Sequence, residues 1–185
     1  MAKIIVSNLV SLDGFIADAA GDLSWFRADD EFLAYGAELC RSIGGILFGR
    51  RTYEMMAAYW PREESIQRDP IVGERMNNLP KYVVSKTLSK LEWNNSQFVR
   101  EPIADSIRAL KQAAAKNLAV LGSAQLVSSL LRQGLIDEFR LLVHPVLLAN
   151  GRPEFANLTD RVELTFRTVR TFQSGLVMLT YDVRS

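Results

Sequence analysis

Hydrophobic positions along the chain fall into short apolar runs separated by longer amphipathic segments. The short runs predict strands at residues 4–10, 45–48, 81–85, 97–100 and 118–121. Between them, apolar residues recur at helical spacing and predict helices at residues 29–43, 51–59, 102–114 and 124–133. Strands that alternate with helices in this way indicate a mainly parallel sheet.

The last third of the chain changes character, because strands follow one another without intervening helices. Long strands are predicted at residues 137–148, 163–172 and 176–183, and Gln173, Ser174 and Gly175 form a hairpin turn between the last two. These strands should add an antiparallel edge to the parallel sheet. The pattern as a whole predicts a single α/β domain spanning residues 1–185.

Residues 61–80 are polar and carry no clear period, so we expect an irregular segment with one short helix near residues 74–78. Long irregular segments in compact domains are often binding loops. Arg62, Arg68 and Arg75 are the natural partners there for a substrate phosphate or carboxylate. The alternative is a solvated surface loop.

Composition narrows the classes of function. A net charge of +1 creates no overall field that would attract nucleic acid or an anionic membrane, so any phosphate recognition must be local. The N-terminus has no signal-peptide core and no run approaches a membrane span, which leads us to expect a cytoplasmic protein. With Cys40 as the one cysteine and His144 as the one histidine, clustered Cys or His metal sites are excluded, and both are expected to be packed structural residues.

Four turn segments should meet at one edge of the sheet, since the carboxyl ends of parallel strands bind ligands. They are Asp13-Gly14, Gly49-Arg50-Arg51-Thr52, Ser85-Lys86-Thr87 and Gly122-Ser123-Ala124. The second and fourth place a glycine turn before a helix N-terminus, where backbone N–H groups bind phosphate. Thr52 is suited to cap its helix. Neither a G-x-G-x-x-G fingerprint nor a P-loop occurs, so a standard Rossmann site and a P-loop nucleotidase are not expected.

Acidic residues cluster between the first strand and the first helix. Asp13, Asp22 and the run Asp29, Asp30, Glu31 flank the aromatic pair Trp25-Phe26. An acid beside an aromatic wall suits a flat heterocycle, and desolvation would raise its pKa for proton donation. The alternative is that residues 29–31 complement the helix dipole.

Taken in order, the chain's short motifs resemble the dihydrofolate reductase-like superfamily. More closely, they resemble stand-alone relatives of the reductase domain at the C-terminus of bifunctional riboflavin-biosynthesis deaminase-reductases. The resemblance covers essentially the whole chain and rests on SLDGFIA at residues 11–17, Ser24-Trp25, LFGRRTY at 47–53, Val84-Ser85, VLGS at 120–123, LIDE at 135–138, and HPVLL at 144–148 followed by Gly151.

That resemblance implies a mostly parallel sheet of about eight strands with an antiparallel C-terminal edge, helices on both faces, and NADPH as the cofactor. Gly49, Arg50, Arg51 and Thr52 match the phosphate-contacting turn, and Ser85 and Lys86 match the loop that reaches the adenosine 2′-phosphate. The remaining cofactor residues are the pyrophosphate loop and the segment beside the nicotinamide: Leu121, Gly122, Ser123, Ala124, Gln125 and Ala17.

Substrate-side residues are implied in the same way. Leu12, Asp13 and Gly14 border the substrate pocket together with Trp25, and Asp13 is the first candidate for the proton donor. The folate enzymes place one carboxylate on the first helix. Here the start of the first helix offers Asp29, Asp30 or Glu31 for that position, and Glu31 is the candidate for substrate binding. The same three acids or an ordered water are the alternatives to Asp13 as the proton source.

One departure concerns the pyrophosphate loop, where many relatives have Gly-Gly, often with a cis peptide bond, and this chain has Gly122-Ser123. A cis bond before a non-proline residue costs about 2.5–4 kcal/mol, which leaves the geometry open.

The expected activity is an NADPH-dependent reductase that transfers a hydride to a small heterocycle or a ribosylamino-pyrimidine phosphate, as in riboflavin biosynthesis. The alternatives are a non-catalytic NADPH-binding protein with the same fold and a dihydrofolate reductase proper. The expected partners are a small-molecule substrate and a second copy of the chain, joined through the C-terminal strands because long apolar edges need covering.

Overall fold

In the computed structural model, which describes residues 1–156 and 158–184, a central sheet of eight strands carries the fold. The strands of this sheet are β1 (Ile4–Ser11), β3 (Ile43–Gly49), β4 (Lys81–Val84), β5 (Ser96–Phe98), β6 (Asn117–Val120), β7 (Glu138–His144), β9 (Leu164–Thr171) and β10 (Val177–Val183). Two further short strands, β2 (Phe15–Asp18) and β8 (Gly151–Pro153), pair antiparallel beside it.

The order of strands across the large sheet is β5-β4-β3-β6-β1-β7-β10-β9. The first six are parallel to one another. The last two, β10 and β9, are antiparallel, so the predicted antiparallel C-terminal edge is confirmed. β1 lies inside the sheet between β6 and β7, and its residues are almost all buried.

Helices cover both faces of the sheet, as expected. They are α1 (Asp30–Ser42), α2 (Arg50–Tyr59), α3 (Glu63–Arg68), α4 (Pro70–Asn78), α5 (Ile103–Ala113) and α6 (Ala124–Arg132). Side chains of α1, α2 and α4 pack with Ile46 and Phe48 of β3, whereas α5 and α6 pack with Leu47. Because neighbouring residues of a strand point to opposite faces, this alternation assigns the two helical layers to opposite sides of one α/β domain.

The expectation of an irregular segment at residues 61–80 was wrong, because α3 and α4 occupy most of it. Asp69 caps α4, its carboxylate accepting from the Val72 N–H at 3.1 Å, and Pro70 takes the first helical position. An acidic cap followed by proline is a helix start signal. Gly73 lets the two helices approach, since a Cβ there would lie 3.0 Å from the Ile66 Cα.

Two local predictions also need correction, and one strand pairing was missed. Thr52 does not cap α2, because the helix begins at Arg50, directly after Gly49, and Thr52 lies within the first turn. Pro102 precedes α5 instead of occupying its first turn. The pairing of β2 with β8 was not predicted, because each is too short to show a strand period.

Lys81, at the start of β4, is a fully buried cation. Its ammonium group donates to the carbonyl oxygens of Asn77, Leu79 and Asn94 at 2.9–3.0 Å and lies 4.3 Å from the centre of the Trp93 ring. Burial lowers the pKa of Lys81 to about 8, while the carbonyl and ring contacts favour its charged form. The end of α4 is thereby joined to the β4–β5 connection.

The exposed edge of the sheet and the character of the helices complete the description. β9 forms one edge of the sheet, and Phe166 and Val169 on it are about half exposed. In the described part of the chain, no helix combines the length and apolar character needed to cross a bilayer.

Candidate active site

A cavity of about 700 Å³ opens beside the carboxyl ends of β3, β4 and β6. α2 begins immediately after β3, and α6 begins after the Gly122-Ser123 turn that follows β6. The first turn of each helix has N–H groups without intrahelical partners, and the helix dipole adds partial positive charge there. Residues from both helix starts line the cavity, which therefore has two neighbouring places suited to phosphate groups.

These two turns touch each other, and glycine makes the contact possible. A Cβ on Gly49 would overlap the Ser123 hydroxyl, and a Cβ on Gly122 would lie 3.2 Å from the Thr52 methyl group. Gly122 and Ser123 both have positive φ, 81° and 75°, a conformation that is strained for serine. Among the described residues, the only cis peptide bond is Glu101–Pro102, so the Gly122–Ser123 bond is trans.

A buried hydrogen-bond chain supports the strained turn from behind. The Gly122 N–H donates to Asn8 Oδ1 at 2.6 Å, and Asn8 Nδ2 donates to Glu154 Oε1 at 2.6 Å. Asn8 lines the cavity from the middle of β1 and is 3% exposed, whereas Glu154 has no exposed surface. The sequence analysis missed both residues. The available signal was an amide side chain inside a mostly apolar strand.

Positive charge dominates the cavity wall. Among the described lining residues the cations are Arg50, Arg51, Lys86 and Arg152, and Asp69 is the one acid. Arg50 lies 3.8 Å from Glu54, and Lys86 lies 3.4 Å from Glu101. Both pairs are solvent-exposed and therefore weak, so these cations remain available to an anionic ligand.

Much of the remaining cavity lining is apolar. Side chains from α1, α2, α4 and the strand ends supply this surface, among them Phe32, Leu33, Leu39, Met56, Trp60, Val72 and Met76. Cys40 also lines it, and burial raises the pKa of its thiol to about 11, which keeps it in the unreactive form. Apolar walls with a few polar groups at the rim suit a flat ring carrying phosphate groups.

Ala17 forms the wall on the β2 side of the cavity and is buried. β8 packs tightly behind it, because a Cβ on Gly151 would overlap the Ala17 carbonyl oxygen. The pairing of β2 with β8 therefore holds this wall in place.

Known proteins match both the sequence and this architecture. The RibD C-terminal domain family matches residues 2–178. The chain belongs to the RibD C-terminal domain family.

Individual relatives extend the comparison. The uncharacterized protein YyaP of Bacillus subtilis (strain 168) is 31% identical over 97% of this chain and 94% of its own length. A putative riboflavin biosynthesis protein from Shewanella sp. PV-4 has a TM-score of 0.77 and 25% identity, with both chains fully covered. Dihydrofolate reductase from Enterococcus faecalis, solved with NADP(H), has a TM-score of 0.66 and 15% identity over 99% of this chain and 97% of that chain. The expected dihydrofolate reductase-like fold is confirmed.

In this RibD C-terminal domain, the residues matched to the cofactor by resemblance come together from distant parts of the sequence. Every one of them lines the cavity: Ala17, Gly49, Arg50, Arg51, Thr52, Ser85, Lys86, Leu121, Gly122, Ser123, Ala124 and Gln125. Ser85 Oγ also accepts from the N–H groups of Thr87 and Leu88, which shapes the loop that carries Lys86.

The residues matched to the substrate do not line this cavity of the RibD C-terminal domain. Leu12 is 65% exposed. Trp25 instead lines a separate cavity of about 300 Å³. Glu31 accepts from the Gln173 N–H at 2.6 Å, Asp29 caps α1, and Asp30 is exposed. None of these three acids lines the cavity, and their roles as substrate ligand or proton source stay predictions.

Asp13 joins two loops. Its carboxylate accepts from Ser11 Oγ at 2.6 Å, from the Leu148 N–H at 3.1 Å and from the Ala149 N–H at 2.8 Å. The bond from Ser11, followed by those from Leu148 and Ala149, lowers the pKa of Asp13. A carboxyl held ionised is a poor proton donor at neutral pH, so these contacts favour an anchoring role. Its catalytic role stays a prediction.

His144 is packed at the end of β7, as expected. Its Nδ1 lies 3.1 Å from the Leu142 carbonyl oxygen, and its ring is surrounded by Trp25, Phe26 and Phe32. Burial lowers the pKa of His144, which favours the neutral ring.

The arginines of residues 61–80 also lie elsewhere than expected. Arg75 donates to the Cys40 carbonyl oxygen at 3.0 and 3.2 Å and fastens α4 to α1. Arg62 and Arg68 are exposed and do not line the cavity.

Proposed function

We propose that this RibD C-terminal domain protein is an NADPH-dependent reductase that acts on a small heterocycle or a ribosylamino-pyrimidine phosphate. The observation that carries the proposal is the convergence of two helix N-termini, the Ser85-Lys86-Thr87 loop and four cations on one cavity with apolar walls. Backbone N–H groups and cations at the rim suit a dinucleotide, and the apolar walls suit planar rings.

The residues of the cavity fit a phosphorylated nicotinamide cofactor. The starts of α2 and α6 would hold its pyrophosphate, and Ser85 and Lys86 would hold the 2′-phosphate. NADPH supplies a hydride when bound. Ala17, fixed by Gly151, would give the nicotinamide ring a firm wall, and the apolar side chains of α1 and α4 would exclude water from the acceptor.

The proposed substrate class follows from the family and from the shape of the cavity. Membership of the RibD C-terminal domain family and the likeness to a putative riboflavin biosynthesis protein support a riboflavin-type pyrimidine substrate. Arg152 also lines the cavity and, since no cofactor phosphate is assigned to it, is the candidate partner for a substrate phosphate.

Turnover decides between this enzyme and a non-catalytic NADPH-binding protein. The observation favouring the second is that Asp69, the one acid on the described cavity wall, is already used to cap α4. We expect NADPH absorbance to fall when purified protein is mixed with pyrimidine, pterin and carbonyl substrates, with the pyrimidine ribosylamino phosphate reduced fastest. Tight NADPH binding without oxidation across that panel would support the non-catalytic protein.

Cofactor binding is tested by Arg50→Ala, with Arg108→Ala as the matched control. Arg108 is an exposed arginine of α5 that pairs with Asp105 and does not line the cavity. Because the start of α2 would hold the pyrophosphate, which NADPH and NADH share, loss of one charge-assisted contact should weaken the binding of both cofactors about ten-fold. Equal effects of the two variants would contradict the assignment.

We also propose that two copies associate through β9. Its outer edge is unpaired in the described chain, and Phe166 and Val169 are exposed on it. Exposed apolar edge strands are otherwise liable to aggregate. Sedimentation should show a dimer that Val169→Lys weakens, and a monomer at micromolar concentration would refute the proposal.

A further inference from the structure

Glu154 is a fully buried carboxyl that takes no part in the proposed hydride transfer. It follows β8, and its backbone N–H donates to the Gly14 carbonyl oxygen at 3.0 Å. Its side chain reaches the opposite way, to Asn8 on β1. One residue therefore contacts both the Asp13-Gly14 turn and the strand behind the Gly122-Ser123 turn.

The orientation of Asn8 follows from its two partners. A backbone N–H can only donate, so the Gly122 N–H must face Asn8 Oδ1. Nδ2 is then directed to Glu154 and requires an acceptor there, which Oε1 provides at 2.6 Å. Without that acceptor, Asn8 would leave a buried donor unpaired or rotate away from Gly122.

We propose that Glu154 is a positioning residue of the cofactor site, which acts through Asn8 to hold the strained Gly122-Ser123 turn in its binding conformation. This proposal rests on the proposed function. Through Glu154, the turn expected to bind pyrophosphate is connected to the Asp13-Gly14 turn on the substrate side. A serine at positive φ persists only where its surroundings fix it, and the Asn8–Gly122 bond is the side-chain hydrogen bond to this turn.

Burial adds a second observation. Burial raises the pKa of Glu154 to about 7, and the hydrogen bond from Asn8 opposes this rise. No charged side chain of the described residues contributes to the shift. Glu154 Oε2 has no hydrogen-bond partner among the described residues. Asn8 thus receives its acceptor from a carboxyl that changes charge near neutral pH.

The test compares Glu154→Met with Glu154→Gln, since glutamine keeps an acceptor of the same shape and methionine does not. In Glu154→Met, hydrogen exchange of the Gly122 amide should quicken about ten-fold, and the Kd of NADPH should rise about ten-fold, as one hydrogen bond is lost. Glu154→Gln should restore both. Unchanged Gly122 exchange in Glu154→Met would overturn the proposal.

A measurement on the unmodified chain keeps the proposal testable if Glu154→Met does not fold. The Gly122 amide resonance should shift with pH at the same midpoint as the Glu154 carboxyl carbon, near 7. The His144 ring, followed separately, gives the control titration. A Gly122 resonance that does not follow Glu154 would overturn the positioning role. Both exchange and titration are measured without cofactor, so a chain that does not bind NADPH would refute the proposed function alone.

Discussion

Replacing Glu154 by glutamine should change how the stability of the protein depends on pH. In the folded state the carboxyl has no exposed surface and one hydrogen-bond donor, Asn8 Nδ2. Burial raises its pKa from 4.5 to about 7. Between these values the folded chain binds a proton at Glu154 that the unfolded chain has released.

The sign and size of the effect follow from that difference. Since the folded state binds more protons, its stability falls as pH rises, and the favourable contribution is lost as pH passes through about 7. Linkage from the two pKa values gives a loss of about 2.5 kcal/mol between about pH 5 and pH 8. Glutamine at this position has no proton to release, so the loss should disappear.

Urea unfolding of both proteins at several pH values measures the difference. The free energy of unfolding of the natural chain, minus that of Glu154→Gln, should fall by about 2.5 kcal/mol from about pH 5 to pH 8. His144, whose pKa burial lowers, contributes to both proteins and cancels in the subtraction. A difference that stays constant with pH would refute the buried, proton-binding description of Glu154.

Three further predictions concern other parts of the molecule. Because Asp13 anchors two loops, Asp13→Asn should speed amide exchange at Leu148 and Ala149. A fall in turnover of about 10²-fold with unchanged amide exchange would instead support Asp13 as the proton donor. Lys81→Met should lower the free energy of unfolding by about 2–4 kcal/mol, because three buried carbonyl groups lose their donor; denaturant titration measures this, and a change under about 1 kcal/mol would contradict it. A bound substrate analogue should slow hydrogen exchange across residues 61–80, since α4 lines the cavity, and unchanged exchange there would argue against it.

Much of the fold follows from local pattern in the sequence. The buried runs at β1, β3, β4 and β6 and the amphipathic α1 and α6 each carry a strong period, and their alternation implies parallel strands. The turns that line the cavity were predicted for the same reason, since glycine turns at strand ends are local signals and parallel strands bring them to one edge. Ala17, Leu121 and Gln125 were implied only by the family resemblance, and the cofactor role of all these residues stays a prediction.

The remaining features depend on contacts between residues far apart in sequence. Asn8, Gly122 and Glu154 come from three separate segments, and only the folded chain shows that they form one hydrogen-bond chain. Asp13 was recognised as an Asp-Gly turn, but its bonds to Leu148 and Ala149 cross more than half of the sequence. Polar residues that serve distant backbone groups leave no periodic signal.

The most direct test of the central claim is the Kd of NADPH and of NADH, measured by fluorescence titration for the natural chain, Lys86→Ala and Lys90→Ala. Lys86 lines the cavity, whereas Lys90 is a nearby exposed lysine that pairs with Glu92 and does not line it. We predict that the natural chain and Lys90→Ala bind NADPH about ten-fold or more tightly than NADH, and that Lys86→Ala loses most of this preference, because a charge-assisted contact contributes about 1.5–3 kcal/mol. Equal binding of the two cofactors by the natural chain, or no binding of either, would contradict the account.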